Sequence, residues 1–339
     1  MPFKDLVVIN NEKISNEENN FYCDNIDIKS IPEDLNKSFN IKLIGRSSRI
    51  KRKHQINLKE IKTSSNIFSF LLSIFQTFKK NKTNYLIISI TPYTFFSYIL
   101  LFIFRKKVFV YLRSNGYEEY KAILGFVGPL IYAVMFKIVT FKSTIISCQE
   151  RLFKTRKSHI VFPSELTSSW LQNIKKPLID KPRLLYVGRI KIEKGIFSLF
   201  KIFDQMNIDA QLSVVGKKDR EYLNNKKINY IGYGYDAANL IRIYDEHNIS
   251  ILPSFTEAHP KVIDESLARY RPVIIFEEIK HVIQDRKGIF ISKRDPNSLL
   301  QVINFVMKNY PDIQKDMSNN RLPTKKEFIS QMSKILISN

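Results

Sequence analysis

Two short stretches of the 339-residue sequence hold residue types that can grip a phosphate and a sugar. The first is Val187-Gly188-Arg189, followed by Lys194-Gly195. An apolar run ends at Val187, and a helical pattern begins at Gly195. Phosphate binding wants flexible backbone, amide donors at a helix start and fixed cations. Gly188 would supply a turn that a residue with a β-carbon takes reluctantly. Arg189 and Lys194 would supply the charge. On its own this pattern reads equally well as a surface loop with two solvated cations. The second stretch is Pro253-Ser254-Phe255-Thr256-Glu257-Ala258-His259-Pro260-Lys261-Val262-Ile263-Asp264-Glu265-Ser266. It follows the apolar run Ile249–Leu252. Pro260 suits the first turn of a helix, where its missing N–H costs nothing. The amides of Lys261 and Val262 are then donors for a diphosphate. Glu265, a turn further in, can accept hydrogen bonds from two ribose hydroxyls. Glu257, nearer the mouth, can do the same for sugar hydroxyls. The competing reading has Glu257 capping the helix and Glu265 solvated.

Such groups need strands that end beside one another. Leu6–Ile9, Ile41–Ile44, Tyr85–Ile90, Val108–Leu112, Thr144–Ser147 and His159–Phe162 read as strands, with helical patterns at Ile67–Lys80 and Pro92–Phe104 between them. The rhythm restarts with strands at Arg183–Val187, Gln211–Val215, Asn229–Ile231, Ile249–Leu252 and Val273–Phe276. The helices of this half are Gly195–Met206, Leu240–Glu246, Lys261–Arg269 and Pro296–Met307. Pro163–Pro182, with three prolines, reads as a linker. The fold class is α/β, two doubly wound Rossmann-like domains facing a central cleft, where ligands of open sheets bind. The expected domains are residues 1–163, 164–320 and a C-terminal helix in 321–339 able to pack on either. Tyr85–Phe104 is long and apolar enough to span a bilayer on paper, but Pro92 and its polar neighbours make it strand, loop and helix. Ala122–Phe141, broken by Gly125, Gly128 and Pro129 and flanked by lysines, reads as a helix lying on a membrane surface rather than crossing it.

The combination Gly188-Arg189…Lys194-Gly195 with Glu257-x7-Glu265 and Arg271-Pro272-Val273-Ile274 resembles the donor half of family-4 retaining glycosyltransferases with the GT-B fold. The resemblance covers about residues 182–308. It implies that Arg189 and Lys194 neutralise the diphosphate of a nucleotide-sugar donor. Glu257 contacts the transferred sugar and Glu265 the ribose, while Gly188 and the amides of Lys261 and Val262 approach the phosphates. The donor is a substrate, and no cofactor is implied. The sequence has no Asp-x-Asp in a loop, and its five histidines are scattered, so protein cations rather than a metal are expected to take the leaving charge. The sequence departs from the family's pattern in two places. Ala258-His259-Pro260 stands where relatives have Gly-Phe-Gly or Gly-Phe-Pro, and Arg269-Tyr270-Arg271 stands where they have Ala-Cys-Gly or similar. Arg269 and Arg271 read as surface residues.

The N-terminal half follows the pattern less. Ile9-Asn10-Asn11-Glu12 has no glycine where relatives have a Gly-rich loop. After Val108–Leu112 comes Arg113-Ser114-Asn115-Gly116-Tyr117-Glu118-Glu119, with a turn-prone Asn115-Gly116 pair. Arg113 and Asn115 are expected to face the cleft on the acceptor side. Glu118 and Glu119 are either acceptor-side carboxylates or a solvated helix start.

The net charge of +22 is unevenly spread: residues 41–160 carry 22 Lys and Arg against 4 Asp and Glu. A polyanionic partner would explain that block. Relatives build cell-surface glycans on lipid carriers, so anionic lipid is the expected partner. Lys51–Lys53, Lys79-Lys80-Lys82, Arg105–Lys107 and Lys154–Lys157 would be the contacts, at about 1 kcal/mol per basic residue near the surface. The expected acceptor is a lipid-linked glycan of a cell-surface polysaccharide such as O-antigen or capsule. A nucleic-acid partner accounts for the charge but not for the C-terminal motifs, since the aromatics fall in helical apolar runs rather than on a basic sheet face. A GT-B isomerase or phosphorylase shares the two-domain plan, but no cofactor-lysine motif is present. Two lone cysteines, Cys23 and Cys148, and no leader-like start point to the cytoplasm, at the inner face of the membrane.

Overall fold

The computed structural model describes residues 4–79, 83–148, 158–217 and 227–338. The chain divides into two compact units, Met1–Phe162 with Lys326–Asn339, and Pro163–Lys325.

Unit 1 begins with β1 (Lys4–Glu17), β2 (Asn20–Cys23), α1 (Ile26–Leu35), β3 (Phe39–Ser48), β4 (His54–Ile56) and β5 (Glu60–Ser64). It continues through α2 (Ile67–Phe75), β6 (Asn84–Ile88), α3 (Pro92–Ile103), β7 (Lys107–Leu112), α4 (Gly116–Leu124), α5 (Gly128–Val139), β8 (Thr144–Ser147) and β9 (His159–Ile160). Seven strands run parallel in the order β5-β3-β1-β6-β7-β8-β9, while β2 adds antiparallel to the far half of β1 and β4 adds antiparallel to β2. Alternate residues of β1 serve opposite faces. Leu6 and Val8 pack with Ile28, Ile31 and Leu35 of α1, whereas Val7 and Ile9 pack with Phe70 of α2, Leu101 of α3 and Met135 of α5. A parallel sheet covered on both faces needs such unbroken apolar strands, and each such side chain fully buried contributes roughly 1.5–3 kcal/mol. Capping fixes the helix starts. Asn66 with Ser69 closes a capping box on α2, and Thr91 with Thr94 closes one on α3, where Pro92 follows the cap.

Unit 2 contains α6 (Ser168–Leu171), β10 (Arg183–Val187), α7 (Ile196–Gln205), β11 (Gln211–Val215), β12 (Ile228–Gly232), α8 (Ala237–Glu246) and β13 (Ile249–Leu252). Then come α9 (Lys261–Ala268), β14 (Val273–Phe276), β15 (Ile289–Ser292), α10 (Pro296–Lys308) and α11 (Tyr310–Met317). Its six strands are parallel in the order β12-β11-β10-β13-β14-β15. That is the doubly wound nucleotide-binding order, with the direction of winding reversing between β10 and β13. The last helix, α12 (Lys325–Ser338), belongs to unit 1. Its Phe328, Met332 and Leu336 join the core on the α1 side, and Asn84 Nδ2 donates to Leu336 O at 2.9 Å.

Several expectations are revised. The strand from Tyr85 ends at Ile88, because Ser89 takes a left-handed φ of 66° and turns the chain toward the α3 cap. The helix from Ile67 stops at Phe75 and tightens into a 3-10 turn over Gln76–Lys79. Pro163–Pro182 is not a detached linker. Within it Leu166 and Trp170 are buried, and Trp170 packs edge-on against Tyr244 at 5.7 Å. Arg269 and Arg271 are not surface residues; they are 1% and 0% exposed. Arg269 forks onto Asp245 (3.0 and 2.8 Å) and donates to the carbonyls of Trp170, Gln172 and Asn173. Arg271 donates to the carbonyls of Tyr244, His247 and Lys175. Five donors in a rigid fork let a guanidinium close off carbonyls that no sheet partner reaches. Ala122–Phe141 is two helices, α4 and α5, joined by a 3-10 turn at Gly125–Val127. Among the described residues no helix is long and apolar enough to cross a membrane.

Candidate active site

The winding reversal in unit 2 brings the loop after β10 beside the loop after β13, and the two sequence stretches are these two loops. Lys194 Nζ lies 2.6 Å from Glu257 Oε1, both side chains largely enclosed. Ser254 Oγ donates to the same carboxylate oxygen at 2.7 Å, and the backbone of Phe255 bonds to Glu193 O at 3.1 Å. The residue that permits this approach is Gly195. Its φ is +65°, and a β-carbon there would sit 1.8 Å from Pro253 O. The special backbone expected at Gly188 is therefore at Gly195. Gly188 has no left-handed φ among the described residues. It marks a close approach instead: its N–H bonds to Val215 O, and a β-carbon on Gly216 would strike Gly188 O at 2.0 Å.

Arg189 reaches outward. It is mostly exposed, 3.8 Å from Glu193, and its carbonyl accepts from Tyr186 Oη at 2.7 Å. So one of the two expected cations sits in a close, enclosed pair and the other in a longer, exposed one.

α9 starts at Lys261 behind Pro260, and no side chain caps it. Its positive dipole end thus faces the loops just described. Ile263 N bonds to Pro260 O; the amides of Lys261 and Val262 stand at the tip. Lys261 Nζ is 3.1 Å from Glu165 Oε1. Glu265 lies one turn in, half-buried, and Tyr244 Oη donates to its Oε2 at 3.0 Å. Burial pushes the Glu265 carboxyl up to about 7, against the pull of the Tyr244 hydrogen bond and of Lys261. A carboxyl poised there can take up a ligand's hydroxyl protons as hydrogen bonds once it is ionised.

His259 is part of the interior of unit 2. Its ring turns inward, Nε2 3.0 Å from Asp264 Oδ2, with both side chains almost fully buried. Arg286 closes the same carboxylate from the other side. His281 Nε2 meets Glu257 O at 2.9 Å. Arg294 stacks over Phe255 and Phe276 and donates to Pro253 O at 2.9 Å. Ser254, Tyr244, His281, Arg286 and Arg294 were not singled out from the sequence. Tyr244, His281, Arg286 and Arg294 reach the site from segments distant in sequence and so carry no local motif. Tyr244 and Arg286 reach carboxylates, His281 and Arg294 carbonyls, whereas Ser254 bonds locally to Glu257.

In unit 1, Arg113 follows β7 and pairs with Asp27 Oδ2 at 2.8 Å. Burial works against its charge, but Asp27 more than offsets this and the group is held in its charged form. Asn115 is the cap of α4: its Oδ1 accepts from Tyr117 N at 3.1 Å, and its Nδ2 donates to Glu118 Oε1 at 3.1 Å. Glu118 and Glu119 lie in the first turn, where a helix dipole favours carboxylates.

Residues 171–322 match the family model described as Glycosyl transferases group 1. The chain carries a glycosyltransferase domain. Its fold is also that of solved glycosyltransferases. Sucrose-phosphate synthase from Thermosynechococcus elongatus superposes with a TM-score of 0.70 at 16% identity over 98% of each chain. Anabaena HepE, solved in complex with UDP and glucose, gives 0.69 at 12% identity over 99% of this chain and 100% of that one. WaaG, a glycosyltransferase involved in lipopolysaccharide biosynthesis, gives 0.66 at 11% identity over 98% and 100%. No curated protein sequence matches this chain. The enzyme is therefore of the glycosyltransferase class, with GT-B-type Rossmann-like units.

Proposed function

We propose that this glycosyltransferase takes a sugar from a nucleotide-sugar, with retention at the anomeric carbon, and passes it to a lipid-linked glycan in cell-surface polysaccharide synthesis, of the O-antigen or capsule kind. The observation that carries the reading is the Lys194–Glu257 pair at the winding reversal, next to the uncapped start of α9. The two charges meet each other directly. A donor would divide them, its diphosphate taking Lys194 and its sugar hydroxyls taking Glu257. Lys194, Arg189 and the amides of Lys261 and Val262, with Gly188 letting backbone come close, would then hold the departing diphosphate. Its negative charge grows in the transition state, so these contacts strengthen as the bond breaks. Glu265 would hold the ribose. Protein cations fill the place of a metal in this scheme, and activity should survive EDTA.

The similar solved structures support the donor and the setting: HepE was solved with UDP and glucose, and WaaG is involved in lipopolysaccharide biosynthesis. The outer surface of unit 1 supports the membrane. Phe68 and Leu72 on α2, Ile103 on α3, Ile123 on α4, and Leu130 and Val134 on α5 are all exposed, and Phe126 between α4 and α5 is 86% exposed. Arg105, Lys107, Lys121, Lys137 and Lys142 stand exposed among them. Apolar bulk rimmed by cations suits the interface of an anionic bilayer. Lys51 and Arg52 contribute less, because they pair with Glu17 and Asp24. Lys80, Lys82 and Lys154–Lys157 lie outside the described residues, as does the side chain of Lys79.

Thermal-shift screening with nucleotide-sugars, followed by transfer to a lipid-linked acceptor, tests the reading. The expected result is a rise in melting temperature with one nucleotide class and loss of sugar from it only when acceptor is present. No shift with any nucleotide-sugar, or an isomerised donor without acceptor, would refute it.

A further inference from the structure

Tyr244 stands near the end of α8, its ring in the apolar cluster of Leu166, Trp170, Leu185 and Ile243. It is 1% exposed, and Trp170 meets it edge-on. A phenylalanine would fill such a place as well. A hydroxyl carried into apolar surroundings costs free energy unless it finds an acceptor. The acceptor here is Glu265 Oε2 on α9, at 3.0 Å. The next, Val262 O at 3.4 Å, lies beyond the usual range for a hydroxyl. Burial raises the Tyr244 phenol well above its ordinary value, so the hydroxyl keeps its proton and donates it to the carboxylate.

The charged groups around Glu265 are engaged elsewhere. Lys261, at the start of the same helix, has its Nζ 3.1 Å from Glu165 Oε1. Asp264 is held by His259 and Arg286. Burial raises the Glu265 carboxyl; the Tyr244 bond opposes this most, then Lys261, while Glu165 and Asp264 add to it. Tyr244 is thus the one hydrogen-bond donor to Glu265 among the described residues. Glu265 Oε1 has no partner among them, yet it is not sealed off.

The two oxygens of Glu265 therefore differ. One is tied to a rigid ring from the neighbouring helix, and the other is left for a ligand. A carboxylate turning freely about its last bond must be fixed when a ligand binds, and that ordering weakens the grip. We infer that Tyr244 is a positioning residue for the donor: its hydroxyl turns the Glu265 carboxylate so that Oε1 meets the ribose hydroxyls. The ribose rests on the nucleotide-sugar reading above; the hold of Tyr244 on Glu265 does not. A hydrogen bond given to the carboxylate also favours the charged form, which is the form that accepts from hydroxyls. Tyr244 so helps to set the pH at which the donor is gripped.

The test uses the full chain and calorimetric titration across neutral pH. The probes are UDP-glucose, GDP-mannose and ADP-glucose, each beside its 2′-deoxyribose counterpart. Tyr244→Phe keeps the ring against Trp170, and the carboxyl it leaves can take up a proton, so this variant should melt near the parent. Its preference for ribose over deoxyribose should fall about tenfold, as when one hydrogen bond to a charged group is lost. The rise of affinity with pH should move to higher pH. Added to Glu265→Ala, Tyr244→Phe should change the ribose preference no further, because no carboxylate remains to be turned. A carbon-13 NMR titration of the ligand-free protein gives a second readout: the Glu265 signal should titrate at about 7 in the parent and higher in Tyr244→Phe. The inference is overturned if that midpoint does not move, if Tyr244→Phe keeps the parent's ribose preference, or if it loses ribose and deoxyribose donors equally, as a tyrosine that merely packs would. A parent that binds none of the donors strikes the nucleotide-sugar reading, and the inference with it. A parent that binds a donor without telling ribose from deoxyribose overturns the inference and leaves that reading in place.

Discussion

Unit 2 turns its charges inward and answers them, whereas unit 1 leaves much of its charge and bulk facing out. In unit 2, Arg269 with Asp245, Arg286 with Asp264 and Lys194 with Glu257 are enclosed pairs. In unit 1 the layer formed by α2, α3 and α5 packs one face on the sheet and keeps phenylalanines and lysines on the other. The difference shows how a charge declares its purpose. One that is paired inside holds the fold or waits for a ligand that can replace its partner. One left among exposed apolar side chains is what the proposed membrane contact would use.

The sharpest way to break this contrast is Arg269→Ala. It would leave Asp245 buried with most of its hydrogen bonds gone, at a cost of about 3–5 kcal/mol. Chemical denaturation should show unit 2 unfolding at much lower denaturant; an unchanged midpoint would mean that the enclosed pairs are idle. Next is Lys194→Ala. Turnover should fall roughly 10²–10³-fold, as when one stabiliser of transition-state charge is lost, while the circular dichroism spectrum stays that of the parent. Near-normal turnover would remove Lys194 from the chemistry. Leu130→Ser on the outer layer should leave the melting temperature almost unchanged and weaken flotation with anionic vesicles by about tenfold, the equivalent of one apolar side chain no longer buried. Equal flotation with neutral and anionic vesicles would separate the apolar contribution from the cationic one.

The smallest expected effect concerns pH. The Glu265 carboxyl is raised from 4.5 to about 7 in the folded protein. Its contribution to stability is therefore complete below the unfolded value and is lost as pH rises through about 7. Ribose hydroxyls donate to the ionised form, so affinity for a nucleotide-sugar should run the other way, rising a few-fold from pH 6 to pH 8. A nucleotide-sugar suits this measurement because its diphosphate is a diester with no proton to lose in that range. Calorimetry in buffers of different ionisation enthalpy should register proton release on binding; a flat profile would take Glu265 out of the ribose contact.

The strands and the two loops of unit 2 were legible because parallel strands are continuous apolar runs and the loop residues are local to them. Lys194 and Glu257 could be named from types and spacing, and the structure brings them together. What stayed hidden depends on distant partners. Arg269 and Arg271 look like surface residues in a sequence, since nothing local tells that Asp245 and the carbonyls of residues 170–175 surround them. His259 could not be read as buried without knowing where Asp264 points. Gly188 was credited with the turn that Gly195 makes, because a glycine's φ is settled by what its backbone must avoid, here Pro253 O. The short antiparallel strands β2 and β4 lack a run long enough to show a period.

The return of α12 to unit 1 orders events in time. Most of unit 1 is synthesised before unit 2, yet Phe328, Met332 and Leu336 of its core are made only after all of unit 2. At about 5–20 residues per second, unit 1 must wait on the order of 10–30 seconds on the ribosome with one face of its sheet open. During that time its exposed aromatic layer is on offer as well. A nascent chain in that state has reason to seek a chaperone or a lipid surface before the enzyme is complete.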